Sequence, residues 1–309
     1  MVAGARIIDV HHHITPPERL ADMRRRGVGE RPTLEWTLEK SLAMMDRDGV
    51  ATAMLSIPNI YQGERATLRR LARHCNEHGA RIVANHPGRF GLFACLPLPD
   101  VEGALAEIDY AFDTLKADGV VLMTGYESKY LGDPAFAPVL DALERRKAVT
   151  FVHPLAPDCC KGILPLVTDA TIEYEADTVR AIASVLYSGT ARRCPGIRFI
   201  FSHGGGTLPS LIERFHMLPR LRPEAARTLP DGPEAALQRF HYDIAQSSHR
   251  VPLKALIALV STACILFGTD FPYRTASEHS AGLNGIGLSA ADVEAVERGN
   301  ALRLLPRLG

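Results

Sequence analysis

The chain has 309 residues, 46% of them hydrophobic, which suffices for a large core, and 35 basic side chains balance 35 acidic ones. With no net charge and no like-charge block beyond Arg24-Arg25-Arg26, nothing in it favours a nucleic-acid or membrane-surface partner. No run approaches the roughly 18 apolar residues a membrane helix needs, and Met1–Arg6 leads straight into a strand-like run with no leader-like segment expected. The six cysteines (75, 95, 159, 160, 194 and 264) form no Cys-x-x-Cys pair, so they read as reduced thiols of a cytoplasmic protein. The adjacent Cys159 and Cys160 read as two ordinary loop thiols.

In chain order, the first strand is predicted over 6–11, where Ile7, Ile8 and Val10 precede His11-His12-His13, and Thr15-Pro16-Pro17 breaks the run. Side chains alternate along a strand, so His11 and His13 share a face and can reach one metal ion, while His12 points away. A long first connection follows over 14–35, read as a lid or interface loop. Further strands are predicted at 50–57, 90–96, 119–123, 148–153, 197–203, 239–244 and 263–269, the run at 239–244 being the weakest. Helices are predicted between them at about 64–78, 101–116, 134–146, 173–188, 207–217 and 251–261, and a last one at 289–304. Asp100 and Asp133 read as N-caps, and Ser289 with Asp292 as a capping-box-like start. His74 and His78, four apart on an Arg-rich helix without the Glu of a His-Glu-x-x-His arrangement, read as a solvated face.

Unbroken alternation of eight strands with helices predicts a parallel sheet closed into a (β/α)8 barrel, one α/β domain over residues 1–309. A doubly wound open sheet is the alternative, but no Gly-x-Gly-x-x-Gly follows an early strand. In a barrel the C-terminal strand ends converge on one mouth. Four of the predicted strands end in chemistry-bearing residues: His11 and His13, His153 before Pro154, His203 before Gly204-Gly205-Gly206, and Asp270 before Phe271-Pro272. Each has an ordinary reading as a core, turn or cap residue, and His-Gly-Gly-Gly also occurs in lipase-like oxyanion holes. That second reading needs a Gly-x-Ser-x-Gly elbow, and none is present. Their joint placement at strand ends favours a metal site.

These pieces, with Gly299-Asn300-Ala301 near the end, resemble the amidohydrolase superfamily. Within it they resemble the branch of 2-amino-3-carboxymuconate-6-semialdehyde decarboxylase-like enzymes over essentially the whole chain. The resemblance implies His11, His13, His153 and Asp270 as ligands of one divalent metal ion, zinc foremost and manganese as the alternative. It places His203 beside the open coordination position as base or electrostatic partner, with Asp270 sharing the catalytic role. The lysine that bridges two metals in binuclear members has no counterpart at the end of the fourth strand, Met123-Thr124, so one metal is expected. Arg214, eleven residues after His203, would clamp a substrate carboxylate from the neighbouring subunit of a homodimer, and Arg31 is a weaker second clamp. Leu155 stands where the semialdehyde decarboxylase has Trp, and the surrounding motifs look most like the 6-methylsalicylate decarboxylase-type group. The implied activity is non-oxidative decarboxylation of a small ortho-hydroxy aromatic acid in aromatic acid catabolism. Hydrolysis of a lactone or amide, or hydration, would use the same ligands, and a non-enzymatic metal-binding role predicts a lost ligand where none is missing. The substrate pocket is expected from the loops 14–35, 58–63, 124–133 and 154–172.

Overall fold

A computed structural model describes residues 6–58 and 63–309, so 59–62 of the expected pocket loop 58–63, and the first five residues of the expected domain, lie outside the described residues. Eight parallel strands form the sheet: β1 (Ile7–His13), β2 (Val50–Ser56), β3 (Phe90–Cys95), β4 (Gly119–Met123), β5 (Val149–His153), β6 (Arg198–Phe201), β7 (His241–Asp243) and β8 (Ile265–Leu266). Each pairs with the next in chain order. The ring closes because the chain after β8 stays extended beside β1. Val10 N–H donates to Phe267 O (2.9 Å), Asp270 N–H to His11 O (2.9 Å) and His13 N–H to Phe271 O (2.8 Å). The result is a (β/α)8 barrel.

The strands are nearly continuous apolar runs because both faces are covered, the interior by side chains and the exterior by helices. Phe93 and Phe151 stack inside at 5.8 Å, and Phe151 lies 4.9 Å from the His11 ring. The barrel is therefore plugged by aromatics directly beneath its histidines. Phe151 and His153 are two apart on β5 and share that inward face.

The predicted N-caps are in place: Asp100, Asp133 and Ser289 accept from the backbone N–H groups of Gly103, Ala135 and Asp292. Several elements differ from expectation. The connection 14–35 is not a bare loop, since it holds the helices Pro17–Arg26 and Arg31–Leu34. Pro16-Pro17 ends the strand but also pre-sets φ for a helix start, and Gly27 stops that helix in the left-handed region (φ 63°). The helix Leu38–Asp48, capped by Thr37, has no counterpart in the sequence reading. The helix expected at 64–78 runs over Arg65–Asn85, and β7 shrinks to three residues. The last helix is interrupted by a π-turn at Ala295–Gly299, after which Asn300 donates to Thr262 O (2.8 Å) and Ile265 O (2.6 Å), tying the C-terminal segment to β8.

Candidate active site

His11, His13, His153 and Asp270 meet at the C-terminal mouth of the barrel, all buried, with their ligand atoms within 4.8 Å of one another. Among the described residues this is the one such group. His11 Nε2 lies 3.0 Å from His13 Nε2, and Asp270 Oδ1 lies 3.3 Å and 3.2 Å from these two nitrogens. Tetrahedral donors about 2.1 Å from one ion would stand about 3.4 Å apart, so the spacing fits a single small divalent cation.

The opposite ring nitrogens are all engaged. His11 Nδ1 donates to Asp243 Oδ2 (2.9 Å), His13 Nδ1 to Ser56 Oγ (2.9 Å) and His153 Nδ1 to Pro154 O (2.8 Å). Each bond fixes the tautomer that leaves Nε2 as a lone-pair donor toward the centre. The electrostatics agree. Burial opposes charge on His11, but Asp243 and Asp270 outweigh it and push its pKa up to about 10. Burial brings His13 down to about 4 despite Asp270, and burial with the neighbouring imidazoles holds His153 well below its ordinary value. Burial alone would raise Asp270, yet His11 and the hydrogen-bonding histidines hold its carboxyl well below the carboxylate range. These directions keep a negative carboxylate and two neutral imidazoles at the centre, the charge states in which such groups bind a cation.

The outer contacts explain the motifs around the ligands. Asp9 accepts from His11 N–H (3.0 Å), Thr269 N–H (2.9 Å) and Thr269 Oγ1 (2.7 Å), joining β1 to the segment that carries Asp270. His12 points away as expected, bonded to Asp9 and to Ser41 Oγ (2.9 Å) and stacked on Phe271 at 4.5 Å. Asp243 receives three donors, His11 Nδ1 and the N–H groups of His203 and Ala245 (each 3.0 Å). Neither Asp243 nor Ser56 was singled out from the sequence, although both end strands, and the strand-end rule applied to β2 and β7 would have found them.

His203 is buried beside the cluster, with Nε2 3.5 Å from Asp270 Oδ2 and neither ring nitrogen hydrogen-bonded to another group among the described residues. It sits at φ 54°, at the head of a left-handed run through the three glycines. At Gly206 a Cβ would fall 2.1 Å from Glu175 O, so this turn demands glycine. Gln246 Nε2 donates to Asp270 Oδ2 (3.0 Å), orienting the carboxylate.

A cavity of about 740 Å³ opens over His13, His153, His203 and Asp270. The segments 13–33 and 153–175 supply most of its wall, whereas none of the expected loop 124–133 lines it. The predicted clamps stand outside it. Arg31 is exposed and paired with Glu35 (2.8 Å), and Arg214 is exposed on the helix Leu208–Leu221. Cys159 is exposed and Cys160 half-buried, both free.

A family profile described as Amidohydrolase matches residues 8–307. The chain belongs to the amidohydrolase family. This amidohydrolase is 36% identical to the 6-methylsalicylic acid decarboxylase of Penicillium expansum, across 97% of this chain and 96% of the relative. It is 37% identical to that of Aspergillus aculeatus, again over 97% and 96%. Its fold is similar to that of the dihydroxybenzoic acid decarboxylase of Polaromonas sp. JS666, solved with bound manganese and 2-nitroresorcinol. The two share a TM-score of 0.81 and 21% identity, over 97% of each chain.

Proposed function

We propose that this amidohydrolase is a metal-dependent, non-oxidative decarboxylase of a small aromatic acid carrying a hydroxyl ortho to its carboxylate. The observation that carries the reading is the full-length similarity to decarboxylases of one such acid, with the three-histidine, one-aspartate cluster and His203 grouped at one cavity. The reaction takes one proton in and releases carbon dioxide. A divalent cation held by His11, His13, His153 and Asp270 would supply positive charge to the substrate's carboxylate and hydroxyl oxygens. Phe151 and the barrel wall close the site from below, so the ring enters from the cavity. Asp270 and His203, whose nearest atoms are 3.5 Å apart, stand where they can relay a proton to the ring carbon bearing the carboxylate. The carbon–carbon bond then breaks, its electron pair restores the aromatic ring, and carbon dioxide departs.

Zinc is the first choice of cation because a nitrogen-rich tetrahedral set suits it. Manganese, held by the Polaromonas relative, is the alternative. A homodimer is supported by exposed apolar side chains. Arg214, Met217 and Leu221 project from one face of their helix, and Ile163, Leu164 and Leu166 stand exposed beside the cavity-lining segment. In that assembly Arg214 serves as the carboxylate clamp reaching a second copy's site, with Arg31 the lesser candidate. Six free cysteines agree with a cytoplasmic setting, and no helix among the described residues is long and apolar enough to cross a membrane.

The test is to load the protein with zinc or manganese, measure the bound metal, and follow carbon dioxide release from 6-methylsalicylate and dihydroxybenzoates beside ring opening of lactones. Release of carbon dioxide from an ortho-hydroxy acid is expected. Lactone opening without any carbon dioxide would replace the reading with hydrolysis.

A further inference from the structure

The helix Asp169–Tyr187 turns Tyr174 and Glu175 into the cavity that holds His203 and Asp270. The helix is held firmly. Two residues beyond Glu175, Asp177 accepts from Tyr130 Oη (2.7 Å) and from Thr124 Oγ1. The carbonyl of Glu175 itself accepts from Thr207 N–H (3.4 Å) and lies against Gly206.

Most polar side chains around the metal cluster have an assigned partner: His11 has Asp243, His13 has Ser56, His153 has Pro154 and Asp270 has Gln246. The Glu175 carboxyl has no hydrogen bond or ion pair among the described residues, yet it is half-buried and lines the same cavity wall as His203. Burial, with the Asp243 carboxylate adding to it, raises its pKa against the opposing effect of His203. A carboxylate kept in a partly desolvated wall without a partner costs stability, and the fold has placed it where a ligand would meet it.

We infer that Glu175 is a specificity-determining residue that restricts the cavity to ring acids bearing a single carboxylate. Its negative charge repels a second anionic group on the ring and accepts a hydrogen bond from a neutral donor there. This rests on the reading of the substrate as an aromatic acid. It adds a limit on charge that the metal cluster does not impose, since the cluster meets only one edge of the ring.

The experiment uses metal-loaded protein and two probes, 6-methylsalicylate and the dicarboxylate 4-hydroxyisophthalate, with Kd measured by calorimetry and carbon dioxide release measured in parallel. The wild type should favour the monocarboxylate. Glu175→Gln should improve binding of the dicarboxylate about tenfold relative to the monocarboxylate, and Glu175→Asp should keep the wild-type preference. Metal content and thermal unfolding of each variant establish that the site is intact, and Glu175→Ala takes the place of the Gln variant should the latter fail to fold. An unchanged Kd ratio after the charge is removed overturns the inference, as does an Asp variant that behaves like the Gln variant. A shifted Kd ratio with no carbon dioxide from any acid would leave Glu175 as assigned and remove the decarboxylase reading instead.

Discussion

At the scale of single residues, Asp243 does more than its silence in the sequence suggests. One oxygen holds His11 Nδ1 and the other takes the N–H groups of His203 and Ala245, so one carboxylate sets a ligand and positions the neighbouring imidazole. Asp243→Asn should therefore weaken metal binding about 10- to 100-fold, the range for loss of a carboxylate behind a ligating histidine. Competition against a chelator of known affinity measures this, and unchanged affinity would show His11 to be oriented by its packing alone. His203 makes the complementary case. It is not among the four clustered ligands, so His203→Asn should keep its metal while kcat falls by about 10²- to 10⁴-fold, the usual contribution of a positioned acid or base. Loss of metal in that variant would make His203 a ligand.

At the scale of elements, the turn after β6 and the helix Asp169–Tyr187 fit each other so closely that a methyl group cannot be added. Gly206→Ala would meet Glu175 O at 2.1 Å and also impose a left-handed φ of 65° on an alanine. The expected cost is about 2–4 kcal/mol, read as a lower urea midpoint at an unchanged m value. This is also where sequence reading worked well. Glycines after a strand-end histidine announced a turn, and apolar runs such as Val-Thr-Phe-Val-His153 announced strands, because a strand buried on both faces needs no polar alternation. The short strand β7 and the helix Leu38–Asp48 were harder to read. The first carries His241 and Asp243 in three residues, and the second mixes Lys40, Asp46 and Arg47 with its buried Met44 and Met45. Glu175 stayed hidden for a different reason. Nothing in a helical sequence tells which polar residue faces a cavity until the neighbouring loops are placed.

At the scale of the molecule, two features tie stability to solution conditions. The ligands come from β1, β5 and the segment after β8, including the two edges at which the barrel closes, so a bound cation links the chain's ends to its middle. Cation at a thousand times its Kd should stabilise the fold by about 4 kcal/mol, and chelation should lower Tm accordingly. Acid acts elsewhere as well. His241, at the end of β7 remote from Asp243, is brought down to about 4 by burial and by Arg303 and Arg198, against a backbone hydrogen bond at Phe199. An unfolded chain protonates this histidine near 6.5. Between these values the unfolded state binds a proton that the folded state refuses, so its contribution to stability is lost as pH falls from about 6.5 to about 4. His241→Gln removes that proton difference. Urea midpoints of the metal-free protein at pH 7 and pH 5 should therefore fall less in the variant than in the wild type. Equal falls would place the acid sensitivity in the metal cluster, where His13 and His153 are also held neutral by burial.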